Sequence, residues 1–116
     1  MQSGIRFESG EVVLVPFPFT DLSQSKRRPV LIISNVQHNA RSYDFVCCAI
    51  TSNLDNRPYS ILLDPTDMAE GVMPVRSKIK YDKIFSLEKN LAIRRLGKVN
   101  PEIMSRVRSS LISLFT

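Results

Sequence analysis

A chain of 116 residues suits one compact domain and is too short for two ordinary ones. Its 16 Lys+Arg against 11 Asp+Glu leave a formal net charge of +5, which points toward an anionic partner or substrate. A hydrophobic fraction of 43% argues against wholesale disorder, and no stretch approaches the 18 apolar residues of a membrane span.

In chain order, residues 1–10 are mixed polar and lack the apolar core of a signal peptide. Glu11 to Val15 is a short apolar run that predicts a buried strand, which Pro16-Phe17-Pro18-Phe19 is expected to end because proline has no amide donor for the ladder. Thr20 to Arg27 is polar and charged and predicts an exposed loop. Val30 to Ile33 predicts a second strand, Asp44 to Thr51 a third and Tyr59 to Leu63 a fourth. Asp64 to Asp67 carries turn chemistry, and Gly71-Val72-Met73 suggests a short strand. Ser77 to Ser86 alternates charged and apolar residues, as a strand does with one face toward solvent or a ligand. The period then changes. Asn100 can cap a helix, Pro101 fits its first turn, and Ile103, Val107, Leu111 and Leu114 form one apolar stripe opposite Arg106, Ser109 and Ser113. Short strands followed by one terminal helix predict a mainly β, α+β fold: a small, strongly bent barrel packed by a helix, over residues 1–116 as a single domain.

The positive charge is unevenly spread. Lys26-Arg27-Arg28 places three cations in a row, and eight positive residues between Arg76 and Lys98 are opposed only by Asp82 and Glu88. This pattern reads either as solvated surface or as a surface that tracks phosphates. Tyr59, Tyr81 and Phe85 offer base-stacking faces beside it, with core packing as the plain alternative.

The missing motifs narrow the chemistry. His38 is the single histidine and reads as a surface residue in a polar, loop-like stretch. The sequence has no His-Glu-x-x-His pair, no glycine-rich phosphate loop and no Gly-x-Ser-x-Gly elbow, so neither a metal nor a nucleotide cofactor is expected. Cys47 and Cys48 are adjacent, cannot easily bridge each other and have no second pair for zinc, so a reducing, cytoplasmic setting is expected. RNA cleavage by the 2′-hydroxyl fits such a chain. The substrate carries its own nucleophile, and the protein must orient it, move a proton and stabilise a five-coordinate phosphorus. A guanidinium fork suits that phosphorane, a hydroxyl adds a directional donor, and a carboxylate with a tuned pKa can serve as base.

Three blocks carry a resemblance: Gly10-Glu11-Val12-Val13-Leu14-Val15-Pro16-Phe17-Pro18-Phe19-Thr20-Asp21, Arg28-Pro29-Val30-Leu31-Ile32-Ile33-Ser34 and Ala49-Ile50-Thr51-Ser52. With Asp82-Lys83-Ile84-Phe85-Ser86-Leu87, Arg94-Arg95-Leu96-Gly97-Lys98 and the terminal helix, the chain from about Phe7 to Thr116 resembles the MazF/PemK family of bacterial toxins, in its PemK-like branch. The resemblance implies a small SH3-like barrel of the PemK/CcdB type and a homodimeric, metal-independent endoribonuclease. Such an enzyme would cut single-stranded RNA at short sequences, leaving a 2′,3′-cyclic phosphate and a 5′-hydroxyl, and a cognate antitoxin would block its groove. Arg28 falls on the family's catalytic arginine, Thr51 on its hydroxyl residue and Asp82 on an acidic residue used in acid–base work. Lys26, Arg27, Ser52, Lys80 and Lys83 are the expected RNA-binding set.

The plain alternative for Asp82 is a surface ion pair with Lys80 or Lys83. The chain also departs from the family. The first loop reads Ser23-Gln24-Ser25-Lys26 where some members carry His or Glu. Lys80 stands in place of an arginine, keeping the charge and losing the fork, and Lys83 in place of a glutamine. Two other functions remain open on the residues: a non-catalytic toxin of the CcdB kind that grips DNA gyrase, and an RNA-binding module without cleavage.

Overall fold

The computed structural model describes residues 6–17 and 26–116, so residues 20–25 of the loop expected over Thr20 to Arg27 lie outside the described residues. Seven strands form one antiparallel sheet that curls into a half-barrel, with a helix at the C-terminus. The strands are β1 (Glu11–Phe17), β2 (Lys26–Ile32), β3 (Asp44–Thr51), β4 (Ser60–Leu63), β5 (Met68–Gly71), β6 (Ser77–Glu88) and β7 (Arg94–Val99), in the spatial order β4-β6-β3-β2-β1-β7-β5. Among the described residues there are also two α-helices, α1 (Val36–Arg41) and α2 (Pro101–Leu114), and two short 3-10 turns, Pro65–Asp67 and Lys89–Leu91.

Alternation along the strands gives the sheet two buried faces. One face gathers Val12, Leu31, Cys48, Ile50, Ile61, Ile79 and Val99 against Ile103, Met104 and Val107 of α2. The other gathers Val13, Val15, Val30, Ile32, Phe45, Cys47 and Leu87 under Phe7, Phe85, Leu91 and Ala92. Cys47 and Cys48 therefore point to opposite faces, both free and both buried. Burial raises both thiols, Cys48 to about 12, so neither supplies a thiolate near neutral pH. α2 begins as expected: the Asn100 side chain accepts from the Ile103 amide and Pro101 sits in the first turn. Its stripe runs through Ile103, Met104 and Val107 to a partly buried Leu111. No helix among the described residues is long and apolar enough to cross a membrane.

The structure departs from the sequence reading at five points. β1 runs through Pro16 to Phe17, which pair with Arg27 and Lys26. Beyond Leu14 the strand has lost its β7 partner, and a strand with one neighbour tolerates a proline. Consequently Lys26 and Arg27 belong to β2 and not to a loop. The short strand after Asp67 is Met68–Gly71 and not 71–73, and His38 lies on the six-residue helix α1 and not in a loop. Finally, Arg94–Val99 is a strand between β1 and β5, although half its residues are cationic. Carboxylates explain it. Arg95 Nε donates to Glu11 at 2.6 Å, its Nη2 donates to Glu70 at 2.6 Å, and Lys98 Nζ donates to Glu8 at 2.7 Å. The lysine holds the Glu8 carboxyl below its usual range. Arg76 similarly pairs with Asp64, the residue that caps the 3-10 turn Pro65–Asp67. The late basic segment is thus not one surface, because much of its charge is spent within the fold.

β5 depends on a close approach. Gly71 has φ +72° and lies against β7, where a Cβ would overlap the Leu96 carbonyl and the Gly97 backbone. Gly71→Ala is expected to cost about 1–3 kcal/mol and to loosen the β5 edge. A loss below about 0.5 kcal/mol in urea unfolding, with unchanged exchange of the 68–71 amides, would contradict this.

Candidate active site

The site begins where two central strands part. β2 and β3 pair only from Val30–Ala49 to Ile32–Cys47. On the open side, Pro29 offers no amide to continue the ladder, and Ile50 and Thr51 keep only their pairing with β6 on the other edge of β3. A cleft of about 480 Å³ opens there, lined on one side by Arg28, Pro29 and Val30 and on the other by Ala49, Ile50 and Thr51. Its floor continues the face that holds Val30 and Cys47.

β6 supplies the cations. Ile84 is paired with Cys48 and Lys80 with Ala49, so Tyr81, Asp82 and Lys83 form a bulge with no partner on β3. In an unbroken strand Lys78, Lys80, Asp82 and Ile84 would share one face. The bulge shifts that alternation, and the residues that reach the cleft are Lys78, Lys80, Lys83 and Phe85. Asp82 is left outside the cleft lining, exposed, with its carboxylate 4.0 Å from Lys80 Nζ.

Of the expected residues, Arg28, Thr51, Lys80 and Lys83 come together in the cleft. Lys26 and Arg27 are exposed further along β2, and Ser52 is exposed just past β3; none of the three is among the lining residues. Phe85 is half-buried and faces both the cleft and the core beneath it. Tyr81 and Tyr59 meet edge to face, with ring centroids 6.2 Å apart. His38 is remote from the cleft lining, its Nδ1 3.0 Å from Asn39 Oδ1. Among the described residues no three His, Cys, Asp or Glu side chains cluster as a metal site.

Sequence reasoning missed one wall. Asn53, Asp55 and Arg57 line the cleft from the connection between β3 and β4, Ser60 from the start of β4, and Lys78 joins them from β6. The signal was there in Thr51-x-Asn53-x-Asp55-x-Arg57, a polar residue at every second position following a strand.

The family model for the PemK-like, MazF-like toxin of type II toxin-antitoxin systems matches residues 8–115. The chain belongs to this family. It is a MazF-like toxin of a toxin–antitoxin system. Solved structures share the toxin fold. MazF bound to MazE from Deinococcus radiodurans superposes with a TM-score of 0.79 at 22% identity, covering 96% of this chain and 97% of that one. MazF alone from the same organism gives 0.76 at 23% identity, covering 96% and 97%. An endoribonuclease in complex with its cognate antitoxin from a mycobacterial species gives 0.76 at 23% identity, covering 94% of each chain. No curated protein sequence matches significantly.

Proposed function

We propose that this toxin is a metal-independent endoribonuclease that cuts single-stranded RNA in the cytoplasm. One observation carries the reading: Arg28 and Thr51, from strands that part, face one cleft with Lys78, Lys80 and Lys83. The scissile phosphate lies between them. The substrate's 2′-oxygen attacks phosphorus and loses its proton, the P–O5′ bond breaks, and the 5′-oxygen gains a proton. The products are a 2′,3′-cyclic phosphate and a 5′-hydroxyl. The Arg28 fork holds the charge that builds on the equatorial oxygens, and the Thr51 hydroxyl donates to the same phosphate. Lys80 and Lys83 bind adjoining phosphates as point charges, and Lys26 and Arg27 extend that track along β2. Asp82 acts through Lys80 as a positioning residue. The toxins that share this fold as MazE–MazF complexes support a cognate antitoxin, which would block the cleft, and a homodimeric toxin.

The test is incubation with a long single-stranded RNA in the presence of chelator, with chemical analysis of the ends. Cyclic-phosphate and 5′-hydroxyl termini are expected. Intact RNA over varied sequences overturns the proposal, and gyrase inhibition without RNA cleavage would replace it. Asp82→Ala is expected to lower kcat/KM by no more than about fivefold, since an exposed ion pair is worth at most about 1 kcal/mol. A hundredfold loss in steady-state cleavage would instead put its carboxylate in the chemistry.

A further inference from the structure

The wall between β3 and β4 is held by a chain of hydrogen bonds. The Thr51 hydroxyl accepts from the Asn53 amide at 3.1 Å, and Asn53 Oδ1 accepts from the Asp55 amide at 3.0 Å. Asp55 Oδ2 accepts from Arg57 Nε at 2.9 Å, and the Asp55 carbonyl accepts from Lys78 Nζ at 2.6 Å. The next turn is fixed as well. Ser60 Oγ donates to the Arg57 carbonyl at 3.1 Å, and Tyr59 adopts φ +63°, a strained conformation for a non-glycine residue. This segment carries no regular secondary structure, yet side-chain bonds repeat along it at every second residue. Such a wall is built before any ligand arrives.

From this wall the Arg57 side chain, 73% exposed, lines the cleft. Asp55 engages Nε alone. Among the described residues nothing takes the two terminal amino groups, which form a planar, end-on pair of donors aimed away from the clamp. Asp55 is also the one carboxylate among the described lining residues, and it is spent on orienting this guanidinium.

We propose that Arg57, clamped by Asp55, determines which base is accepted beside the scissile phosphate, an inference that rests on the RNA-cleaving reading of the cleft. The recognised chemistry is two adjacent acceptors on one base edge. Guanine presents N7 with O6, and cytosine presents O2 with N3. Adenine offers an acceptor beside a donor, and uracil separates its two carbonyls by a donor, so neither satisfies both arms of the fork. Single-stranded RNA leaves these edges open to such contacts. Arg57 is thus a specificity-determining residue and Asp55 the positioning residue behind it.

The test measures binding of fluorescent uridine oligonucleotides with 2′-O-methyl sugars, which cannot be cut, carrying a single guanosine, cytidine or adenosine. Wild type is expected to bind either the guanosine or the cytidine version about tenfold more tightly than the adenosine version, and the outcome identifies the base. Arg57→Ala and Arg57→Lys are both expected to bring the versions within about twofold of each other, because lysine keeps the charge and loses the fork. Asp55→Ala is expected to lose the same discrimination while binding the all-uridine oligonucleotide more tightly, since it removes a negative charge from a basic cleft. A general loosening of the fold would weaken every oligonucleotide instead. Equal binding of all versions by wild type, or discrimination retained by Arg57→Lys, overturns the inference. Uncut 2′-hydroxyl RNA alongside base discrimination that Arg57→Lys abolishes would sink the endonuclease reading and keep Arg57 as the base-reading residue of an RNA-binding cleft. Cleavage with an unchanged site preference in Arg57→Ala would do the reverse.

Discussion

Arg28→Ala is expected to lower the rate of RNA cleavage by about a hundred- to a thousandfold, the cost typical of removing one preorganised donor from a developing oxyanion. Arg28 lines the cleft two residues before the β2–β3 ladder begins at Val30, across from Thr51 on β3. On the proposed mechanism Arg28 contributes most in the transition state, where a fifth oxygen ligand adds charge around phosphorus. The loss should therefore fall on kcat more than on KM. Arg28→Lys should recover only part of it, because an ammonium cannot meet two phosphate oxygens in a fixed fork. Since Arg28 is exposed, the variant should fold, with urea unfolding within about 0.5 kcal/mol of wild type. Single-turnover cleavage at saturating protein separates these effects. Cutting by Arg28→Ala within about threefold of wild type would remove the arginine from the chemistry. Binding should lose about one phosphate contact, seen as a salt dependence shallower by about 0.7.

How much of this site the sequence revealed depended on which physical rule governed each part. β1, β3, β4, β6 and α2 were legible because apolar periodicity decides them, and that periodicity is the cause of their burial. The strand Arg94–Val99 was not, because Arg95 and Lys98 are neutralised by Glu8, Glu11 and Glu70, which lie far away in sequence. α1 was missed for a related reason: six residues with little apolar pattern are fixed by the Asn35 cap and by Asn39, whose side chain is buried and donates to the Phe7 and Ser34 carbonyls. Arg28 and Thr51 were read from a family likeness, and the structure gives their shared position a cause in the parting of β2 from β3. Asp82 shows the limit most plainly. Strict alternation would set it beside Lys80 on the cleft face, and only the three-residue bulge, a property of pairing with β3, moves it off. Asn53, Asp55 and Arg57 lie where no periodicity applies, so side-chain bonding within the loop, and not hydrophobic pattern, places them.

The core face that reaches the cleft through Val30 and Phe85 makes a second large prediction. Phe45→Ala is expected to destabilise the fold by about 3–5 kcal/mol, the range for truncating a buried aromatic, against a total of about 5–15 kcal/mol for a domain of this size. Phe45 is fully buried on β3 and packs on Phe7 with ring centroids 5.3 Å apart. It sits in the cluster of Val13, Val15, Val30, Ile32, Cys47 and Leu87, whose residues come from four strands, so no single element can collapse into the space left behind. The same face extends through Phe85 to the cleft, and Phe7 ties the segment before β1 to it. Phe45→Leu, which fills most of the volume, should cost far less. Urea unfolding followed by circular dichroism decides the matter: the midpoint should fall steeply with the slope unchanged. A loss near 1 kcal/mol would mean that this face relaxes around the cavity and that the cleft above it stands on a softer base than its burial indicates.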